Sequence, residues 1–193
     1  MSLLIIVSLQ LLLGQLQSEQ VHADILEDSP PTIRVVDGGM LVNGVMVNQN
    51  WNTGQLDRLL GSTGRWLIPT EQQRQDAQRK FGRPLTTDTY IYDELGINVF
   101  VDHKSKAIKS LAVRFGGHTY SNSPTSPFSG NMSVKNILVT RKSTFKELEA
   151  LGLERTPLPI SRDLAIGPFK YSFIFDDAAP HSNLAEISIS LRS

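Results

Sequence analysis

Two stretches 92 positions apart carry nearly the same pattern, MLVNGVMV at 40–47 and MSVKNILV at 132–139. Self-similarity at fixed spacing marks a repeated supersecondary unit, so the chain must fold as two copies of one motif. At the constant offset of 92, Met40, Val42, Val47, Leu56 and Leu59 fall on Met132, Val134, Val139, Leu148 and Leu151. Val45 and Met46 fall on Ile137 and Leu138, and Asp57 falls on Glu149. The matches flank Asn43-Gly44, the strongest two-residue hairpin signal. Lys135-Asn136 takes the second turn, where Asn tolerates the left-handed conformation. Each hairpin leads into a short helix capped at Asn52-Thr53 or Ser143-Thr144 and closed at Leu60-Gly61 or Leu151-Gly152.

The later parts match at offsets of 71 to 76. Pro84-Leu85 falls on Pro157-Leu158, Leu95-Gly96 on Ile166-Gly167, INVFVD at 97–102 on YSFIFD at 171–176, and IKSLAV at 108–113 on LAEISI at 184–189. The first copy is therefore longer by about 20 residues, with a helical insertion over 62–80 that contains TEQQRQDAQRK. Period-2 alternation in VFVD, SLAVRF, YSFIF and EISISL predicts half-buried antiparallel strands. The expected class is α+β, a tandem pseudo-repeat of hairpin, helix and antiparallel strands, forming a mainly antiparallel sheet with helices on one face. The opposite face is expected to be partly open, because Asn98, Arg114, Lys170 and Ser188 are polar. Residues 116–130, rich in Ser, Pro and Gly, read as a surface loop between repeats of about 32–115 and 116–193.

Ahead of the repeats stands MSLLIIVSLQLLLG, then GQLQSEQ and Val21-His22-Ala23. An apolar run, a polar stretch and small residues before a cut after Ala23 read as a signal peptide over 1–23. The run is too short to cross a bilayer, which takes about 20 apolar residues. The mature domain, 24–193, is expected to be periplasmic, exported and soluble, with no stable membrane insertion after cleavage. It carries 19 basic and 18 acidic residues, Glu19 being the charge lost. That balance gives no basic footprint for nucleic acid. Absence of Cys removes disulfides, thiolate metal sites, Cys nucleophiles and lipidated Cys.

Chemistry is sparse. His103, His118 and His181 stand in no metal-ligand spacing, and no G-x-S-x-G frames a nucleophile. Asp102-His103 and Asp176-Asp177-His181 occupy equivalent turns, where Asp serves ordinary turn hydrogen bonding. Asp93 and Glu94 adjoin in YDELG, without the separated, contrasting environments that glycoside hydrolysis requires. The expectation is no catalytic residue, no cofactor and no metal. Aromatic side chains displayed on loops anchor protein interfaces. Trp66, Asp93, Glu94, His118 and Tyr120 are accordingly the expected partner-binding residues.

Two resemblances bear on function. The tandem helix-and-sheet layout is similar in architecture to beta-lactamase inhibitor protein. More closely, LVNGVMV at 41–47, FGRP at 81–84, YIYDELGINVF at 90–100 and PFSG at 127–130 follow in order the pattern of a bacterial family of uncharacterised domains. Members of that family resemble immunity proteins encoded beside secreted antibacterial toxins, such as those of type VI secretion. The resemblance implies a toxin inhibitor acting in bacterial competition by occluding an active site. Its partner would be a cognate toxin enzyme, with a peptidoglycan-targeting enzyme as one candidate. An envelope assembly or structural binding module, and a small exported hydrolase with an unrecognised site, are the alternatives.

Overall fold

Both turns of the echo adopt positive φ at their two central residues: 48° and 81° at Asn43 and Gly44, 47° and 66° at Lys135 and Asn136. This is the conformation whose twist suits a two-residue hairpin, and it explains Asn and Gly at these points. The computed structural model describes residues 29–47, 51–116 and 123–191, and the expected signal peptide lies outside them. Pro31–Ser193 forms one compact unit.

The first copy contains β1 (Thr32–Val36), β2 (Gly39–Val42), β3 (Val45–Val47), α1 (Thr53–Leu60), β4 (Arg65–Leu67), α2 (Glu71–Phe81), β5 (Thr87–Tyr92), β6 (Ile97–Asp102) and β7 (Ile108–Arg114). The second contains β8 (Asn131–Val134), β9 (Ile137–Val139), α3 (Phe145–Leu148) with a 3-10 turn (Glu149–Leu151), β10 (Glu154–Arg155), β11 (Ser161–Ile166), β12 (Phe169–Phe175) and β13 (Leu184–Leu191). Asn52 and Thr144 each close a full capping box, and Gly61 and Gly152 end the turns in the left-handed conformation. Within 62–80, β4 is the counterpart of β10 in the second copy, so the element found only in the first is α2.

The class is α+β, with two mostly antiparallel sheets. Eight strands run in the order β10-β11-β12-β13-β7-β6-β5-β4. The copies join where β13 pairs antiparallel with β7. Ala112 faces Ser188 across that joint, and these residues are repeat equivalents at an offset of 76. A pseudo-two-fold axis therefore passes through this pair. It relates Asn98 to Ser172, Ile91 to Asp163 and Arg65 to Glu154 along one row of the ladder.

The hairpins do not extend this sheet. They form a second one, β3-β2-β1-β8-β9, in which β1 pairs antiparallel with β2 and parallel with β8. The reason is coverage. Eight strands at about 4.8 Å spacing span roughly 34 Å, too wide for an eight-residue α1 and a four-residue α3 to shield. Met40, Val42, Met132 and Val134 complete the cover, in one core with Leu56, Leu148, Val99, Leu111, Tyr171 and Phe173.

Two expectations about the remaining surface are corrected. Over the first repeat the opposite sheet face is closed: Ile91, Asn98, Ala112 and Arg114 are buried, whereas Lys170 is exposed and Ser188 half-buried. The segment read as a surface loop is pinned down at Ser123, Pro124 and Phe128, which are buried, while Thr125, Pro127 and Ser129 are exposed. Phe128 enters the core edge-to-face against Phe115, centroids 5.8 Å apart. Its N–H donates to the Arg114 carbonyl at 2.6 Å, and Ser126 N–H to the Asp93 carbonyl at 3.0 Å. Gly96 admits this approach, since a Cβ there would collide with the Phe128 backbone.

Candidate interaction site

The outer edge of the first repeat is built from β4, α2 and the turns that flank β5. β4 is the terminal strand of the eight-stranded sheet, pairing with β5 through Arg65–Ile91, Trp66–Tyr90 and Leu67–Thr89. Gly64 precedes it because the chain passes over Tyr90 so closely that a Cβ would lie 2.9 Å from the ring. The Gly64 N–H donates to the Tyr90 hydroxyl at 3.0 Å. Tyr90 and Tyr92 in turn donate to Asp57 on α1, at 3.2 and 2.9 Å. Burial, reinforced by the Asp57 charge, raises both phenols above their ordinary pKa.

A second node fixes α2. Asp88 is fully buried, and Arg74 of α2, His103 and Lys106 converge on it at 2.5, 2.9 and 3.0 Å. Burial alone would raise this carboxyl. Hydrogen bonds from Lys106, His103 and Arg74 outweigh that effect and hold it below the usual carboxylate range. His103 Nδ1 also lies 3.0 Å from Arg74 Nη2. Protonated, that nitrogen donates to Asp88; unprotonated, it accepts from the guanidinium. Arg74 further donates to the Leu85 carbonyl, which ties both ends of the α2–β5 connection together.

A third set holds the β5–β6 turn. Arg65 pairs with Asp93 through two nitrogens, and Thr125 N–H donates to Asp93 at 3.1 Å. The Arg65 contact is the main cause of a lowered Asp93 pKa.

On this braced frame apolar side chains face solvent. Trp66 is 43 % exposed, its ring tilted against Tyr90 with centroids 4.7 Å apart. Leu67, Ile68, Leu85 and Phe81 are also exposed, Phe81 at 64 %. The docked face of α2 explains Phe81: Arg74 and Ala77 are buried, and Phe81 continues their i, i+3, i+7 stripe beyond the sheet edge. Lys106 Nζ stands 6.0 Å from the Trp66 ring, and Lys80 Nζ stands 5.3 Å from that of Phe81.

Of the expected site residues, Trp66 lies on β4 against Tyr90, and Asp93 and Glu94 lie in the β5–β6 turn, where Asp93 is bridged to Arg65, the neighbour of Trp66 on β4. Glu94 is exposed at the turn, while Asp93 is occupied in bracing it. His118 and Tyr120 lie outside the described residues. Ile68, Phe81 and Leu85 were missed in the sequence. The signal available was Phe81 sharing a helical face with Ala77, which a polar helix composition masks.

Elsewhere the titratable turn residues act locally. Asp102 accepts from Ser105 N–H at 2.8 Å and from its hydroxyl at 2.9 Å, which lowers its pKa to about 2. Asp177 accepts from Ala179 N–H at 2.7 Å, and His181 is exposed. Among the described residues no three His, Asp or Glu gather closely enough to hold a metal ion. A cavity of about 40 Å³ between β2, α1, β7 and β12 is walled by Met40, Trp51, Leu56, Leu111 and Phe169. Its lining is mostly apolar, with Lys109 and Ser110 as the polar members, and it holds no His or carboxylate. Among the described residues no helix is long and apolar enough to cross a membrane.

No curated protein and no solved structure matches the chain. Residues 32–149, more than half of the chain, match the model of a domain of unknown function, DUF7738, and the protein belongs to that family.

Proposed function

We propose that the protein is an exported, periplasmic immunity protein that binds a cognate antibacterial toxin enzyme and occludes its active site. The observation that carries this reading is the apolar edge of the first repeat. Trp66, Ile68 and Phe81 stand in solvent on a frame held by the Asp57, Asp88 and Asp93 contacts. A rigid aromatic presented in this way loses little conformational freedom on binding, which is the property of an interface anchor. The signal-peptide pattern supports a binding event in the envelope, and the resemblance to immunity proteins supplies the class of partner. The braced edge would enter the enzyme's cleft, with Trp66 as anchor and Glu94 at the rim.

The test is co-expression with the enzyme encoded beside it, directed to the periplasm. Cells carrying the protein survive, and the purified pair forms a complex of defined stoichiometry. Trp66→Ala weakens that complex by about 2 kcal/mol or more, roughly 30-fold. Survival that does not depend on the protein, or a complex indifferent to Trp66→Ala and Phe81→Ala together, would refute the proposal.

A further inference from the structure

We propose that the partner surface seated on the Trp66–Phe81 edge is acidic, a protein cleft whose walls carry carboxylates and whose floor is apolar. The inference rests on the inhibitor reading above and specifies the chemistry of its partner. The chain as a whole is neutral, with 19 basic and 19 acidic residues. At this edge three exposed cations stand unpaired near the end of α2 and the β6–β7 turn, against two exposed carboxylates without a cationic partner among the described residues, Glu71 at the start of α2 and Glu94 in the β5–β6 turn. Lys80, Arg83 and Lys104 are exposed, and among the described residues none of them has a carboxylate partner. Neighbouring charges are already paired: Arg79 with Asp76, Lys106 with Asp88, Lys109 with Asp102 and Arg65 with Asp93.

The three unmatched cations flank the apolar side chains. Lys80 lies against Phe81, Arg83 stands between Phe81 and Leu85, and Lys104 shares the β6–β7 turn with Lys106, which overhangs Trp66. The Arg74–Asp88 pair fixes the helix that carries Lys80, so these charges do not disperse over the surface. Exposed cations around an apolar centre raise the local potential, speed encounter with an anionic surface and reject a cationic one. A second copy of this chain would bring like charges together at the same edge. An enzyme cleft that works through carboxylates offers the complementary field.

One arm of the test needs no partner. Of the two Trp residues, Trp51 is 5 % exposed and Trp66 43 %, so soluble quenchers read Trp66. At low ionic strength, and with each ion's efficiency normalised to that toward free tryptophan amide, iodide should quench this fluorescence at least about threefold more efficiently than caesium. The bias should vanish in the triple variant Lys80→Glu, Arg83→Glu, Lys104→Glu, and at about 0.5 M salt in the unaltered protein. Equal normalised quenching by the two ions at low salt would overturn the inference.

The second arm uses the enzyme identified by co-expression. The triple variant should associate at least about tenfold more slowly at low salt, with the difference closing at high salt. Changing cleft carboxylates of the enzyme to Lys should restore the rate to that variant. Association unaffected by charge reversal, yet abolished by Trp66→Ala, would sink the acidic-partner inference and leave the inhibitor reading standing. Failure of any complex to form would remove both. Retention on phosphatidylglycerol vesicles, with no charge dependence toward the enzyme, would assign the cations to lipid and also overturn it.

Discussion

The two ends of the eight-stranded sheet are related by the pseudo-two-fold axis, yet they are finished differently. At one end the ladder positions are Trp66 and Tyr90; at the other the axis places Arg155 and Arg162. Asp57 receives two tyrosine hydroxyls in the first repeat, whereas its equivalent Glu149 is exposed and Tyr92 is replaced by Leu164. Arg162 instead lies over the Phe145 ring, 4.4 Å from its centroid. Both edges expose apolar side chains, Leu158 and Ile160 in the second repeat. Only the first has an added helix, α2, between its terminal strand and the next, with a buried ion pair to hold it. The insertion is thus a braced addition to a symmetric scaffold.

The sharpest way to break the comparison is at Asp88. Asp88→Asn leaves Arg74 buried without its counter-charge, an expected loss of about 3 kcal/mol in urea unfolding. Ile160 holds the equivalent place in the second repeat at an offset of 72, and it is 38 % exposed. Ile160→Ala should cost below about 1.5 kcal/mol. The same site has a pH signature. Its folded pKa lies below the ordinary value of about 3.9. The unfolded chain therefore binds the extra proton first, and the stabilisation is complete above that value. It is lost as pH falls through the lower folded pKa. Between about pH 5 and pH 3, Asp88→Asn should lose less stability than the unaltered protein; equal losses would locate the acid sensitivity elsewhere.

Much of the symmetric scaffold was legible because its signals are local. Asn43-Gly44, the caps at Asn52 and Thr144, and the closures at Gly61 and Gly152 each act within a few residues, and each is realised in the structure. The copies could be aligned because their inward-facing residues must match in size and polarity. The separation of the hairpins into their own sheet was not legible. It depends on how much of the large sheet α1 and α3 can cover, a sum over distant elements. The Arg74–Asp88–His103 node was hidden for a related reason. Its members come from a helix, a strand and a turn, and α2 looks wholly polar until its Arg is seen to be buried. The closed face over Ile91 and Asn98 likewise looks polar in the alternation, because Asn98 and Arg114 are buried polar residues.

A middle-sized difference should separate the repeats at Tyr92. Its hydroxyl donates to Asp57 at 2.9 Å, a bond to a charged acceptor that burial strengthens. Tyr92→Phe removes the donor and leaves the ring in place, with an expected loss of about 1.5 kcal/mol by thermal or urea unfolding. Tyr171 supplies the contrast. It is fully buried in the second repeat, and among the described residues its hydroxyl has no hydrogen-bond partner. Tyr171→Phe deletes an unsatisfied polar group, so it should be neutral or stabilising. Loss of similar size in both variants would mean that the asymmetry of hydrogen bonding between the halves has no energetic counterpart.

The smallest effect concerns what the repeats share. Asn52 accepts from Gln55 N–H at 3.0 Å while Gln55 returns a bond to the Asn52 N–H at 3.1 Å. Thr144 and Glu147 do the same at 3.3 and 2.9 Å. The two boxes satisfy equivalent donors with no partner in common, so Asn52→Ala and Thr144→Ala should each cost about 1 kcal/mol. The double variant should lose the sum within about 0.5 kcal/mol. Beyond their caps the helices differ. α1 continues for eight residues and carries Asp57, whereas α3 passes into a 3-10 turn after four. Fraying of α1 from its N-terminus would therefore loosen the Asp57 bonds to Tyr90 and Tyr92, an added loss with no equivalent in the second repeat. Performing both cap substitutions in the Tyr92→Phe background isolates that coupling. If the Asn52→Ala cost shrinks there and the Thr144→Ala cost does not, the cap of the first repeat helps to brace the edge that carries Trp66.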